Sequence, residues 1–86
     1  MALSKKTINA FGLILKEFAH ANKTYEPYNS AHEGFAFLKE EVDELWEEIK
    51  KKPQDYDMEA MTKEAAQIGA VALRFLIHVC LKEGQA

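Results

Sequence analysis

Long apolar runs are missing from this chain, so no segment of the sequence is suited to cross a membrane. A membrane-spanning helix needs about 20 consecutive apolar residues, and polar residues interrupt every apolar stretch before that length is reached. Lys5 and Lys6 stand near the N-terminus, but Lys16 and Glu17 break the apolar segment that follows them. Such a segment is a poor secretory signal. We expect a cytoplasmic protein that has no membrane partner.

Cysteine is also scarce, since Cys80 is the only one in the chain. One cysteine cannot form an internal disulfide. Cys80 stands among Ile77, Val79 and Leu81, and a free cysteine in such apolar surroundings usually behaves as a small buried hydrophobic residue. We therefore expect Cys80 to be buried and unreactive.

The chain also lacks an excess of positive charge. The chain has 11 Lys and Arg residues against 14 Asp and Glu residues, and its formal net charge is −3. Proteins that bind nucleic acid neutralise the phosphate backbone with a basic stripe or patch. The one lysine run, 50–52, is instead explained by the negative end of a helix dipole. We expect no nucleic-acid partner.

Strand-like alternation and internal repeats are absent too, and the apolar residues recur with helical spacing. A first helix is predicted over about residues 4–21 and a loop over 22–29, where Pro27 blocks helical propagation. A second helix is predicted to begin at Ser30, which forms a capping box with Glu33, and to end before Pro53. Their predicted buried stripes are Ile8, Phe11, Ile14, Leu15 and Phe18 in the first helix, and Phe35, Leu38, Val42, Leu45, Trp46 and Ile49 in the second.

The third predicted helix begins near Asp57, a good N-cap residue, and runs to about Lys82. It is apolar over most of its circumference, which is typical of a helix in the middle of an assembly. Two other helices of an 86-residue chain can hardly cover it. We therefore expect one all-α domain over residues 1–86, a bundle of about three helices that is completed by oligomerisation into a homodimer or homotetramer.

Carboxylates are concentrated in residues 40–48, where six of nine side chains are acidic. Like charges three or four residues apart on a helix repel each other by a few tenths of a kcal/mol, whereas Mg²⁺ prefers oxygen ligands of this kind. A helical wheel places Glu41, Glu44 and Glu48 in a stripe that borders the apolar face. Glu64 borders the apolar face of the third helix, with Gln67 one turn on. If the two helices pack antiparallel, both groups face one shallow pocket.

These residues carry a family resemblance. An E-x-x-E pair, a spacer and an E-x-x-D pair are the signature of the MazG-like nucleoside triphosphate pyrophosphohydrolases, which belong to the all-α NTP pyrophosphatase superfamily. This chain has Glu41-Val42-Asp43-Glu44, a spacer of suitable length and Glu64-Ala65-Ala66-Gln67. The surrounding pattern, a preceding helix and a long apolar third helix, also resembles the family over about residues 11–81.

The resemblance implies an enzyme that cuts between the α- and β-phosphates of an NTP or dNTP and releases a nucleoside monophosphate and pyrophosphate. It implies Mg²⁺, or alternatively Mn²⁺, which would neutralise the triphosphate and activate a water. Glu41, Glu44 and Glu64 would be catalytic metal ligands, one of them doubling as general base. Further implied metal ligands are Gln67 and Glu48, and implied substrate contacts are Lys63 and His32, with Arg74 as a more distant positive charge.

The departure from the family is Gln67, because the family has an Asp at that position. An amide offers one carbonyl oxygen to a metal but brings no charge. Three readings follow: fewer metals are bound, Glu48 or Glu40 supplies the missing charge, or the chain is a non-catalytic nucleotide-binding, metal-binding or protein-interaction module. The acidic run could also be only the solvated face of a bundle helix. A di-iron site is discounted, because it needs Glu-x-x-His motifs that the sequence lacks.

Three other side chains have plainer interpretations beside the functional ones. His32 is either a substrate contact or, more commonly, a solvated loop histidine. Trp46 is expected in the core or a subunit interface ahead of a base-stacking role. His78 is expected to be a buried or interface histidine bonded to a neighbour, since no second histidine has metal-ligand spacing.

Overall fold

A computed structural model, which describes residues 2–81, shows a fold of three long helices. These are α1 (Lys5–Thr24), α2 (Ala31–Ile49) and α3 (Met58–Phe75). A short 3-10 turn, Pro53–Asp55, precedes α3, and a π-helical segment, Leu76–Cys80, follows it. Every regular element within residues 2–81 is helical, so the predicted all-α class and the three helices are confirmed. None of these helices has the length and apolar character needed to cross a membrane.

Side-chain caps begin each helix where the sequence predicts them. The Ser30 hydroxyl accepts a hydrogen bond from the Glu33 backbone N–H at 3.0 Å, and the Asp57 carboxylate accepts one from Ala60 at 3.1 Å. The predicted capping box needs one correction. The Glu33 carboxylate does not return to Ser30 but accepts from the backbone and side chain of Asn29, at 3.3 and 3.1 Å. The Glu33 side chain therefore accepts its hydrogen bonds from Asn29, one residue before the predicted partner Ser30.

The C-terminal ends differ slightly from prediction. α1 continues to Thr24, beyond the expected end near residue 21, and Tyr25 is its first extended residue. Pro27 disfavours helical backbone only at the residue before it, so nothing ends the helix earlier. At the other end of the chain, the π-helical segment closes with a hydrogen bond from Leu81 N to Leu76 O at 2.8 Å. The predicted end at Lys82 lies outside the described residues.

α3 packs against both α1 and α2, which contact each other little. Two glycines permit this close approach. A Cβ at Gly69 would lie 2.8 Å from the Ile14 side chain of α1, and one at Gly34 would lie 2.6 Å from the Phe75 ring. Gly34 begins α2 and Phe75 ends α3, while the Tyr56 hydroxyl beside the start of α3 binds the carbonyl of Ile49 at the end of α2. α2 and α3 are therefore antiparallel.

The predicted buried stripes are only partly in the core of this chain. Ile14 and Phe18 of α1 are half-buried, as are Leu38 and Leu45 of α2. The other stripe residues are exposed, and so is Cys80, whose predicted burial is wrong for this chain. Both helices are apolar over a wide arc, and α3 covers only one edge of it. The stripe residues left exposed are Ile8, Phe11 and Leu15 on α1, and Phe35, Val42, Trp46 and Ile49 on α2.

Candidate metal centre

Three carboxylates from two helices meet at the α2–α3 contact. Glu41 and Glu44 are one turn apart on α2, a spacing that places both side chains on one face. The antiparallel packing brings Glu64 of α3 opposite them. One carboxylate oxygen from each residue lies within 4.8 Å of the other two. The structure therefore brings together three of the five residues that the resemblance implies as metal ligands.

Desolvation and like charge make this cluster costly without a cation. Burial, followed by the charges of Glu44 and Glu64, raises the pKa of Glu41 to about 7. Burial and the neighbouring Glu44 also raise the pKa of Glu64, although Lys63 opposes the rise. One oxygen each of Glu41 and Glu64, the Oε2 atom, is buried and has no hydrogen-bond partner among the described residues. Such oxygens suit a hard divalent cation such as Mg²⁺, so the donor set fits the implied metal.

The two remaining metal candidates, Gln67 and Glu48, make hydrogen bonds to other residues. Gln67 is turned toward α1, where its Nε2 donates a hydrogen bond to Glu17 Oε1 at 3.2 Å. Glu48 accepts a hydrogen bond from Lys51 at 3.1 Å, and its charge contributes to the raised pKa of Glu64. Glu48 is therefore close enough to influence the cluster, but it is not among the three residues whose oxygens converge.

The two predicted substrate contacts, Lys63 and His32, lie at different distances from the carboxylates. Lys63 is exposed beside Glu64, where its charge acts on that carboxylate. His32 is exposed in the first turn of α2 and not in the loop before it. It lies nine residues before Glu41, which corresponds to about 13 Å along the helix axis. The structure thus places Lys63, but not His32, next to the three carboxylates.

The structure also shows the surroundings of Trp46, His78 and Arg74, for which the sequence predicts other roles. Trp46 is 57% exposed, so it is not a core residue of this chain. His78 is half-buried, and its Nδ1 accepts a hydrogen bond from the Tyr28 backbone N–H at 3.5 Å, which confirms that it is bonded to a neighbour. Burial and the charge of Arg74 lower the pKa of His78. Arg74 itself is buried, with only 2% of its surface exposed, and binds the α1–α2 loop.

A cavity of about 190 Å³ adjoins the carboxylates between the three helices and the α1–α2 loop. Glu41 is one of its lining residues, together with Glu17, Tyr28, Gln67 and Arg74. Sequence reasoning missed Glu17 and Tyr28. Glu17 lies one turn after Ile14 on the face of α1 that meets α3, but the sequence does not say which edge of the apolar arc is covered. Tyr28 is in the loop, where helical periodicity carries no information.

No protein-family model, curated protein or solved structure matches this chain. The MazG-like resemblance therefore rests on the chain's own residues and their spacing.

Proposed function

We propose that this protein is a MazG-like, Mg²⁺-dependent nucleoside triphosphate pyrophosphohydrolase, which converts an NTP or dNTP and water into a nucleoside monophosphate and pyrophosphate. One observation carries the proposal: Glu41, Glu44 and Glu64 converge within 4.8 Å. The buried Oε2 atoms of Glu41 and Glu64 support it, because buried carboxylates of like charge beside Glu44 need either a shared proton or a cation. A solvated acidic face would not require either feature.

Each residue has a defined part in the proposed reaction. Glu41, Glu44 and Glu64 would hold Mg²⁺ or Mn²⁺, which supplies neutralisation of phosphate charge when bound. One of the three carboxylates would also act as general base toward the attacking water. Lys63 extends positive charge toward the phosphates from its position beside Glu64. His32 has no role in the proposal, since it lies about 13 Å along the helix from Glu41.

A substitution pair tests the proposal directly. Purified protein is incubated with a panel of NTPs and dNTPs and Mg²⁺, and pyrophosphate release is measured beside a calorimetric Mg²⁺ titration. Glu41→Gln should reduce both to background, because it removes one of the three ligand charges from the metal site. The matched control is Glu47→Gln on the same helix, where the carboxylate is exposed and paired with Lys50; both signals should persist. Unchanged metal binding and turnover in Glu41→Gln would refute the assignment.

A second candidate function is a non-catalytic, MazG-like module that binds metal or nucleotide. The observation that favours it is the hydrogen bond between Gln67 and Glu17, which engages the amide at the position where the resemblance expects a charged metal ligand. The same assay separates the two candidates. A module would bind Mg²⁺ in a Glu41-dependent way and release no pyrophosphate from any nucleotide, whereas the enzyme does both.

The active form is proposed to be a homodimer or homotetramer. Support comes from the apolar side chains that α3 leaves uncovered on α1 and α2, since soluble monomers rarely expose large contiguous apolar patches. A cytoplasmic location is part of the same proposal. The Cys80 thiol is exposed, and thiols of this kind stay reduced in the cytosol.

A further inference from the structure

We infer that a second copy of this chain packs on the face of the three-helix layer that lies opposite the carboxylates, while each chain keeps a complete carboxylate cluster of its own. The interface rests on the oligomer of the proposed function, but it does not depend on hydrolysis of any nucleotide. Three observations carry it: the position of the exposed apolar side chains, the area that they leave uncovered and their lack of charge.

On α1, acidic and apolar side chains stand on opposite sides of the line that faces α3. Ile14 marks this line, because a Cβ at Gly69 of α3 would lie 2.8 Å from its side chain. Glu17 and Phe11 are three residues after and before Ile14, so they lie about 60° to either side of it on the helix. Glu17 lines the cavity beside the carboxylates. The exposed Phe11 is therefore on the opposite face of the layer.

The arrangement on α2 is the same. Gly34 packs against the end of α3, and the half-buried Leu38, one turn later, continues the line that faces α3. Glu41 and Phe35 are three residues after and before Leu38, again about 60° to either side of it. Glu41 lines the same cavity as Glu17, so the exposed Phe35 is on the opposite face. Both outer helices present carboxylates to one face of the layer and apolar side chains to the other.

Small side chains of α3 occupy the middle of the face that carries these phenylalanines. Ala65 and Ala72 are exposed. They are two residues away from Gln67 and Arg74, respectively, which line the cavity. Two residues correspond to about 160° around a helix, so both alanines lie opposite the cavity. We call this surface the apolar face, and its exposed members are Ile8, Phe11, Leu15, Phe35, Val42, Trp46, Ala65, Ala72 and Leu76.

The apolar face is larger than the apolar patches of most soluble monomers. Its large side chains, which exclude only the two alanines, are between 46% and 59% exposed. An aromatic side chain can bury about 150–250 Å², so these half-exposed side chains together leave roughly 700 Å² uncovered. The largest apolar patch of a typical monomer is about 300–600 Å², whereas a stable interface buries about 800 Å² on each partner. With its alanines, the apolar face has the area that a stable dimer needs.

The chemistry of the apolar face selects a second copy as its occupant. None of its members is charged. A two-fold contact between identical subunits sets one patch against the same patch of the other copy, so a charged patch would meet like charge, whereas this one does not. Interfaces of homodimers are also more apolar than those of transient complexes. Ala65 and Ala72 allow α3 of each copy to approach the other closely, with the larger side chains of α1 and α2 around them.

Packing on the apolar face leaves the carboxylates of both copies on outward surfaces. Glu41, Glu44 and Glu64 converge within one chain, and the adjoining cavity lies on the side of the layer that the second copy does not cover. Each chain therefore binds its metal without a residue of its partner.

Trp46 is a native probe of this interface, because it is the only tryptophan in the chain and is more than half exposed in a single copy. Quenching of its fluorescence by acrylamide is measured over a dilution series, in parallel with sedimentation. The comparison is Ala72→Glu, which keeps a good helix former but places a charge in the middle of the apolar face. Ala72→Glu should sediment as a monomer, and Trp46 should be quenched several-fold less in the unmodified oligomer than in this variant.

The matched control is His20→Glu, because His20 is exposed on the cavity side of α1. This variant should remain an oligomer in which Trp46 is protected. A calorimetric Mg²⁺ titration then tests whether one chain suffices for the metal site. Ala72→Glu should bind Mg²⁺ with the same stoichiometry per chain as the unmodified protein and with an affinity within about twofold, as expected for distant, independent sites.

Several outcomes would overturn the inference. They are a monomeric unmodified protein, a Trp46 that is quenched as strongly in the oligomer as after dissociation by dilution, and dissociation by His20→Glu but not by Ala72→Glu. A folded Ala72→Glu monomer that no longer binds Mg²⁺, although the oligomer does, would show that the site needs both chains. If Ala72→Glu does not fold, as judged by circular dichroism, the dilution series of the unmodified protein still decides whether the apolar face is covered.

The interface and the proposed function fail differently. A protected Trp46 in a protein that binds no Mg²⁺ and releases no pyrophosphate supports the interface and refutes the enzyme. Mg²⁺-dependent pyrophosphate release by a protein that stays monomeric refutes the interface alone.

Discussion

At the scale of single residues, the site is defined by how each polar group is paired. Glu41 and Glu64 each keep a buried oxygen without a partner, whereas Gln67 is engaged by Glu17. The sequence predicts metal-ligand roles for the first two through their resemblance to the MazG-like pattern. It does not identify Glu17, which belongs to α1 and is 50 residues away from Gln67 in the chain.

Glu41 should make the stability of the metal-free protein depend on pH. Its pKa is raised from 4.5 to about 7 on folding, so the folded state binds more protons than the unfolded state between these values. Stability should therefore fall as pH rises from about 4.5 to about 7. Because Glu41 is only half-buried, solvent screening limits the effect to roughly 1 kcal/mol.

Chemical denaturation in a chelator at pH 5 and pH 8 checks this dependence. Glu41→Gln should reduce the difference and leave the part that Glu64 contributes, while Glu47→Gln should retain all of it. Saturating Mg²⁺ should also abolish the fall, because a bound cation favours the ionised carboxylates and so opposes the rise in their pKa. A metal-free protein that becomes more stable over this pH range would contradict the burial argument.

A double substitution at Gln67 and Glu17 tests whether Glu17 influences the metal site. Gln67→Asp alone introduces the carboxylate that the MazG-like pattern has at this position but places it near Glu17, so repulsion should limit any gain in Mg²⁺ affinity. The exchange Glu17→Gln with Gln67→Asp keeps one amide and one carboxylate in the pair and moves the charge onto α3. Calorimetry should show tighter Mg²⁺ binding for the exchange than for Gln67→Asp. Equal affinities would mean that Glu17 does not influence the metal site.

At the scale of the elements, close packing of α3 depends on positions without a side chain. Gly34 brings the start of α2 against the end of α3, where a Cβ would meet the rings of Phe75 at 2.6 Å and Tyr28 at 3.0 Å. Gly12 of α1 has nothing within 4 Å of its Cβ position. The two glycines therefore separate the effect of helix propensity from that of packing.

Alanine at these glycines should act in opposite directions. Gly12→Ala should stabilise the protein by about 0.5–1 kcal/mol, because alanine loses less conformational freedom in a helix. Gly34→Ala should destabilise it by about 1–3 kcal/mol, because rigid rings must move to admit the methyl group. Thermal denaturation measures both. A Gly34→Ala protein as stable as Gly12→Ala would show that the contact between α2 and α3 is looser than described.

At the scale of the whole molecule, the core of one chain is small. The buried residues of α3 are Ala66, Ala70, Val71 and Arg74, and no large apolar side chain is fully buried within residues 2–81. Phe11 and Trp46 are 53% and 57% exposed. The sequence placed the subunit interface on α3, but most of the uncovered apolar stripe lies on α1 and α2.

Self-association should therefore depend on the outer faces of α1 and α2. Sedimentation at micromolar concentration should show a dimer or tetramer, and Phe11→Lys or Val42→Lys should shift it toward monomer, because each places a charge in the apolar surface that we expect to be covered. Lys39→Ala, at an exposed position of α2 that is paired with Asp43, is the control and should sediment as the unmodified protein does. A folded monomer at high concentration would contradict the oligomer proposal.

Local physics explains which features the sequence alone determined. Helical periodicity predicted three helices, Ser30 and Asp57 marked two of the starts, and the spacing of Glu41 and Glu44 placed both on one face. Each of these depends on residues within about one turn of one another. The meeting with Glu64 followed only on the assumption that the second and third helices pack antiparallel.

Only the tertiary structure decided how each helix is rotated and what its polar groups bind. The apolar arcs of α1 and α2 are wide, so periodicity allows several rotations, and the choice depends on how closely Ile14 approaches Gly69. Arg74 likewise binds loop carbonyls 48 and 49 residues earlier in the chain. Contacts between such distant residues leave no periodic signal in the sequence. The exposed stripes, the Glu17–Gln67 pair and the cavity could not be predicted for this reason.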